Sequence, residues 1–224
     1  MKVAILYSGG KDSNLALLKT AKHFKVACLV SLIPESEEAY LFHYPNVHLV
    51  RLQAEALNIP LLQMKCPNDE EGSLKTLYRI LEEAKKKFKI EGVVTGAVRS
   101  TYQASRFQSV CWDLDLWCFN PNWLKDEIKL LEEILNLGFK VIFTRVAGYP
   151  LKKNLLGRKL TREVIEYFKR IRNFINPSGE GGEYETLVLD MPLFKKKIEI
   201  LDWEVIGEDY DATMIIKEAR LVDK

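Results

Sequence analysis

The apolar run Val3-Ala4-Ile5-Leu6-Tyr7 leads straight into Ser8-Gly9-Gly10-Lys11-Asp12-Ser13, after which apolar residues recur at helical spacing (Leu15, Leu17, Leu18, Ala21, Phe24). A run of β-formers, a glycine pair and a helix describe a strand–loop–helix unit. Because the helix opens at the loop, its N-terminal N–H groups and its dipole favour an anion beyond the strand end. The glycines let more N–H groups converge there, and Lys11 adds a point charge. Ser8 and Ser13 offer hydroxyls that can bond phosphate oxygens or cap the helix. A tight turn with a serine cap is the plainer reading, but six specified residues at the end of a first strand favour phosphate. The loop is not a Walker A: Ile5 stands where that motif has glycine, and Asp12 where it has Ser or Thr.

The alternation continues. Residues 26–33 form an unbroken apolar run suited to a buried parallel strand, and Pro34 stops it. A helix is predicted over 46–57 (Val47, Val50, Leu52, Ala54, Leu57), Pro60 opens a strand over 61–64, and Leu74, Leu77, Tyr78, Leu81, Ala84 and Phe88 stripe a helix over 70–88. Residues 92–98 read as another buried strand. This order predicts an α/β fold, a doubly wound parallel sheet with right-handed crossovers, whose ligands bind beyond the carboxyl ends of its strands. Ser8 and Gly96 both fall at such ends, so their loops can flank one nucleotide. The second half is less regular. It reads as a helix over 125–137 (Ile128, Leu131, Ile134, Leu135) stopped by Gly138, then a strand over 141–144. Thr161 caps a helix with Val164, Ile165, Phe168, Ile171 and Ile175 inward, and Lys169, Arg170 and Arg172 in solvent. Strands over 187–189 and 214–216 read as edges or antiparallel additions. The regular alternation ends near Pro121, which divides the chain into 1–120 and a smaller α+β domain over 121–224.

Composition narrows the classes. A net charge of +2 gives no support for broad nucleic-acid binding, so no direct nucleic-acid partner is expected. Lys85-Lys86-Lys87 reads as a solvated helix end, and Lys195-Lys196-Lys197 as a solvated loop or edge. No stretch approaches the roughly 18 apolar residues of a membrane helix. The first strand leaves no room for a signal peptide, so a cytoplasmic protein without membrane contact is expected. The cysteines (Cys28, Cys66, Cys111, Cys118) form no C-x-x-C pair and read as small core residues; His23, His43 and His48 lack metal spacing. No protein-held metal site is expected.

Two further motifs carry chemistry. In Gly96-Ala97-Val98-Arg99-Ser100-Thr101-Tyr102-Gln103-Ala104-Ser105-Arg106, Gly96 permits close backbone approach to a ligand, and Ser100 or Thr101 can cap the next helix. Tyr102, Gln103 and Arg106 then fall in its first turns, either facing a ligand or lying on a polar exposed face. Pattern alone leaves both readings open. Gly179-Glu180-Gly181-Gly182-Glu183-Tyr184-Glu185-Thr186 crowds carboxylates on a glycine-rich turn, which calls for a positive partner or solvent. Taken alone it reads as a solvated acidic turn; it could equally face phosphate-bound magnesium or a cationic substrate.

Residues 8–13 resemble the PP-loop of the ATP pyrophosphatases, whose members cleave ATP to AMP and pyrophosphate and share a HUP-like parallel sheet. With the Gly96–Arg106 motif and the glutamate–glycine turn, the chain resembles the diphthine–ammonia ligase family over nearly its whole length. Phe42-His43, Gln53-Ala54-Glu55-Ala56, Ile59-Pro60, Pro121-x-Trp123 and Met191-Pro192-Leu193-Phe194 add to the likeness, while Asn122 departs from the leucine many relatives carry. Only the ligase region is matched, as in an archaeal-type form without the further domains of longer eukaryotic relatives.

The resemblance implies ATP-dependent amidation of diphthine on translation elongation factor two, by carboxylate adenylation and then attack of ammonia. Residues 1–120 would bind ATP, with magnesium accompanying it, and 121–224 the substrate. Ser8, Gly9, Gly10, Lys11, Asp12, Ser13 and Gly96 would hold the nucleotide, with Lys11 and Asp12 catalytic. Asp12 would orient Lys11 or bind magnesium. Tyr102, Gln103, Arg106, Glu180, Glu183, Tyr184 and Glu185 would bind the substrate. Acidic and aromatic groups together recognise quaternary ammonium ions, so Glu180, Glu183, Tyr184 and Glu185, joined by Trp123, are expected at the trimethylammonium of diphthine. No glutaminase region is evident, so free ammonia is the expected nitrogen source. A homo-oligomer is allowed. The rival readings are a PP-loop enzyme acting on a small carboxylate or on transfer RNA, and a nucleotide-binding regulatory module.

Overall fold

The computed structural model describes residues 1–35 and 46–224; Phe42 and His43 lie outside the described residues. Strand β1 (Lys2–Leu6) runs into helix α1 (Lys11–Thr20), and β2 (Lys25–Pro34) follows. A 3-10 turn (Val47–Leu49) leads into α2 (Val50–Leu57), then β3 (Leu61–Cys66), α3 (Glu70–Phe88), β4 (Gly92–Val94), α4 (Thr101–Asp113) and β5 (Trp117–Phe119). The five strands form one parallel sheet in the order β3-β2-β1-β4-β5. The chain therefore winds one way from β1 to β3 and the other way from β4 to β5. The crevice where it reverses, between the carboxyl ends of β1 and β4, is where such sheets bind ligands.

The pleat of β1 explains the layering. Val3, Ile5 and Tyr7 face a core shared with α1 and α2, whereas Ala4 and Leu6 face a second core with Leu77 and Leu81 of α3 and Phe107 and Cys111 of α4. A strand buried on both faces has no room for a polar alternation, hence the unbroken apolar run. Pro34 ends β2 from within its last position. Residues 92–98 pair only as far as Val94, after which the chain turns toward α4.

The rest of the chain gives α5 (Glu127–Asn136), β6 (Lys140–Ala147), α6 (Arg162–Ile171), β7 (Tyr184–Asp190), β8 (Lys197–Glu208) and β9 (Asp211–Val222). Its strands make an antiparallel sheet in the order β7-β6-β9-β8. Of the lysine run 195–197, Lys197 opens the edge strand β8. The two sheets share one core: Leu15 and Leu17 of α1 and Val50 of α2 belong to the same apolar cluster as Leu130 and Ile134 of α5, Phe143 of β6, Phe168 of α6 and Val188 of β7. Burying one such side chain is worth about 1.5–3 kcal/mol, so each sheet depends on the other for a covered face. Among the described residues no helix is long and apolar enough to cross a membrane.

Candidate functional site

The helix ends distinguish the site from the scaffold. Helices α3, α4, α5 and α6 each begin under a side-chain cap, from Asp69, Ser100, Asp126 and Thr161 respectively. Helix α1, which opens directly from a glycine loop, does not: its N-cap is Gly10, in extended conformation, with no side-chain cap; α2 also lacks one, but it continues from the 3-10 turn that precedes it. The capping expected of Ser8 or Ser13 is absent because their hydroxyls face each other at 3.3 Å, and Ser13 Oγ donates to Gly10 O at 3.1 Å. An uncapped N-terminus beside a glycine loop (Gly9 φ 83°) is a seat for an anion. Lys11 is buried, donating from Nζ to Asp12 Oδ2 at 2.8 Å and to the Ser178 carbonyl, with its charge 5.0 Å from the Tyr184 ring centroid. Its backbone N–H donates to Thr186 Oγ1 at 3.1 Å. The glutamate–glycine turn and β7 thus hold the loop lysine from the far end of the chain.

Two clefts meet over this loop. One encloses about 750 Å³, counting space open to solvent, and lies past the ends of β1, β2 and β4. Leu6, Val30, Leu32, Val47 and Phe107 give it apolar walls, and Ser31 and Thr95 add polar groups. The other, about 1070 Å³ on the same measure, runs along residues 179–182 and β7, with Lys11, Tyr102 and Glu185 on its walls. Ser8, Asp12, Gln103 and Glu180 line both. Gly96 lines the first, but its bare Cα answers a different need from the one expected: a Cβ there would stand 2.7 Å from Ser13 N and 2.9 Å from the Asp12 carbonyl carbon. The close approach is to α1 itself.

The remaining expected residues divide into cleft walls and supports. Gln103 sits where the clefts join, at the first turn of α4, its N–H bonded to Ser100 Oγ at 3.2 Å. Tyr102 donates to Glu70 Oε2 at 2.6 Å, and the Arg106 guanidinium lies 3.5 Å from its ring centroid. Arg106 itself binds Glu70 and lines an outer groove against α3, so it steadies Tyr102 rather than facing either cleft. The Arg106 bond holds the Glu70 carboxyl below its usual range, and the Glu70 bond raises the Tyr102 phenol.

The acidic turn is spent mostly on structure. Glu180 Oε2 accepts from the N–H groups of Arg99 and Ser100, both at 2.9 Å, clamping the turn onto the start of α4. Glu183 accepts from Asn176 N and Nδ2 at 2.8 and 2.7 Å and from Gly181 N at 2.9 Å, and lies on neither cleft. Tyr184 donates to Pro177 O at 2.6 Å and packs edge-on to Phe143; burial drives its phenol well above the ordinary tyrosine range. Glu185, opposite Arg145 in the β6–β7 register, lines the second cleft; Trp123 lines neither. Of the turn residues expected at a cation, Glu180, Tyr184 and Glu185 line the second cleft, whereas the Glu183 carboxylate is bonded to Asn176 and Gly181.

Sequence reading missed Ser178 and Thr186, which meet Lys11 only through the tertiary fold. It also assigned no role to Asn122, which is buried, donates to Asp12 O at 3.0 Å and accepts from Lys19 Nζ at 2.9 Å. Among the described residues no group of three or more His, Cys, Asp or Glu could hold a metal ion unaided.

Comparison with known proteins finds likeness over almost the whole chain. Residues 1–117 match the family model of the diphthamide synthase N-terminal domain, and residues 126–222 that of the diphthamide synthase C-terminal domain. The diphthine–ammonia ligase of Mus musculus is 34% identical over 246 residues, covering 99% of this chain and 91% of the mouse protein. That of Homo sapiens is 32% identical over 250 residues, covering 100% and 91%. That of Schizosaccharomyces pombe is 37% identical over 225 residues, covering 92% of this chain but only 37% of the yeast protein.

Proposed function

The chain belongs to the diphthamide synthase family, and on that premise we propose that it converts diphthine on translation elongation factor two to diphthamide with ATP and ammonia. The observation that carries this reading is the junction of two clefts over one anion seat, with Ser8, Asp12, Gln103 and Glu180 common to both. Adenosine fits the cleft with apolar walls, past the ends of β1 and β4. The triphosphate then runs across residues 8–13, and the protein's modified side chain enters along residues 179–187.

A carboxylate is a poor acyl donor, so it needs a leaving group before an amine can displace it. In the first step a carboxylate oxygen attacks the α-phosphorus, the bond to the bridging oxygen breaks, and pyrophosphate departs with the electron pair. Charge grows on that oxygen as it leaves. Lys11 Nζ and the N–H groups at the start of α1 are set to stabilise it, and groups placed beforehand avoid the cost of reorganisation. In the second step ammonia attacks the acyl carbon, AMP leaves, and the nitrogen loses a proton. Magnesium would be held mainly by the phosphates, since it ordinarily takes one or two carboxylates from a protein; Asp12 lies nearest that path. Once bound, it supplies charge neutralisation to the triphosphate. The trimethylammonium group beside the reacting carboxylate would face Glu185 and the Tyr102 ring, an anion and an aromatic face suited to a quaternary cation. Residues 1–120 would serve the nucleotide and 121–224 the protein substrate, in the cytoplasm where that substrate works.

The test is AMP and pyrophosphate release from ATP and ammonium, with and without diphthine-bearing elongation factor two. Release that requires the factor, with a mass change of its diphthine from acid to amide, is expected. Turnover with small carboxylates and none with the factor would overturn the reading.

A further inference from the structure

A loop that binds an anion through N–H groups must turn the matching carbonyls elsewhere, because in a trans peptide the N–H points opposite to the C=O. After β1 those carbonyls point inward and are saturated. The Gly9 oxygen accepts from Gln53 Nε2 at 2.9 Å, Asn14 Nδ2 at 3.1 Å and Val188 N at 3.1 Å. The Gly10 oxygen accepts from Asn14 Nδ2 at 2.9 Å, Ser13 Oγ at 3.1 Å and Asn14 N at 3.2 Å. Asn14 is aimed in turn by Tyr7 Oη, which donates to its Oδ1 at 2.7 Å. With the Gly9 carbonyl inward, the Gly10 N–H faces Ser8, on the wall of both clefts, and makes only a long 3.4 Å contact to Ser8 Oγ.

Gln53 stands out among these donors. It projects from α2, is fully buried, and uses the same Nε2 to donate to Val188 O at 2.8 Å. One carboxamide thus joins the loop of the parallel sheet to β7 of the antiparallel one. Two carbonyls can only accept, so the amide must present its NH2 to them. That choice leaves Oε1 buried without a hydrogen-bond partner among the described residues, pressed so near Gly9 that a Cβ there would stand 2.4 Å away. An unpaired buried acceptor is costly, because it has given up its bonds to water and gained none. A side chain needed only to fill this space would be methionine or leucine, at no such cost.

We infer that Gln53 is a positioning residue for the phosphate loop: it holds the Gly9 carbonyl inward and so keeps the Gly10 N–H turned toward the pyrophosphate end of the nucleotide. The inference rests on the reading of residues 8–13 as the pyrophosphate seat. It predicts a selective defect. Methionine at 53 keeps the length and burial but has no donor.

Calorimetry of Gln53→Met and the unaltered protein with ATP, inorganic pyrophosphate and AMP separates the possibilities. ATP and pyrophosphate affinities should fall at least tenfold, while AMP affinity changes less than twofold. In the unaltered protein the Gln53 side-chain NH2 resonances should shift on adding pyrophosphate and stay in place on adding AMP, a readout that does not depend on the variant folding. Equal weakening of all three ligands, or resonances indifferent to pyrophosphate, would assign Gln53 to the scaffold alone. An unaltered protein that binds ATP no more tightly than AMP would instead overturn the pyrophosphate seat itself, and the inference with it.

Discussion

The parallel sheet and the antiparallel sheet contribute to the site in different currencies. The first offers backbone: strand ends, a glycine loop and the uncapped start of α1, all placed by topology. The second offers side chains and single carbonyls, each held by another contact: Ser178 O on Lys11 Nζ, Thr186 Oγ1 on Lys11 N–H, Glu180 on the N–H groups of Arg99 and Ser100. A site built from backbone survives many substitutions around it. One built from paired side chains can be dismantled at a single atom.

The sharpest test of that division is whether the halves are separable at all. Phe168, fully buried in the shared core, belongs to the antiparallel half. Phe168→Ala should cost about 3–5 kcal/mol and lower one common thermal transition; two transitions with only one displaced would show independent halves. Lys11→Met should reduce kcat by roughly 10²–10³, comparable to losing one preorganised donor, on protein that still melts cooperatively, though at a lower temperature because Asp12 and the Ser178 carbonyl lose their donor. A loss under tenfold would mean that the loop backbone suffices. Glutamates two residues apart should then behave differently. Glu183→Gln should lower stability by about 1–3 kcal/mol, seen in denaturant titration, because its carboxylate holds the turn together. Glu185→Gln should raise KM for the protein substrate roughly tenfold, on the scale of a lost charge pair, and spare KM for ATP. The reverse pattern would return substrate recognition to Glu183. Smallest is a matter of thiol chemistry. Burial pushes the Cys28 thiol up to about 12, whereas the hydrogen bond from Cys111 lowers Cys118, the one cysteine not fully buried. Iodoacetamide at pH 8 should label Cys118 first in the folded protein, read by peptide mass; Cys28 labelling first would contradict the packing around β2.

The same contrast decided what could be read in advance. Helix α3 was legible from end to end because its apolar stripe is a local signal, although its Asp69 cap was not read from the sequence. The Thr161 cap of α6 was legible. Strand β5 was invisible: three residues with an exposed Trp117 give no period to detect. Strand β8 was missed although Leu201, Trp203 and Val205 alternate with Asp202 and Glu204: the pattern changes phase after Ile198 and Ile200, where the register with β9 slips, and the far half is exposed on both faces, so no single buried face marks it. At the site, the strand, glycine loop and helix start of residues 3–20 were legible because their signals lie side by side in sequence. The task of Glu183 was not, since a carboxylate bonded to nearby N–H groups and one awaiting a cation share the same letters. Asn122 shows the limit most plainly: read as a departure of little effect, it is buried against α1, bonded to Asp12 O and Lys19 Nζ, a placement only the tertiary structure supplies.

If residues 8–13 seat the triphosphate as proposed, the uncapped start of α1 makes the nucleotide part of the fold. Four other helices begin under a side-chain cap; the start of α1 has only Thr186 Oγ1, reaching in from β7 to the Lys11 N–H, and phosphate oxygens would take up the N–H groups beside it. Whatever free energy binds the ligand to the folded chain and not to the unfolded one is added to stability. The cellular supply of ATP then sets how much of this protein survives heat or proteolysis, and an idle molecule is the more perishable one.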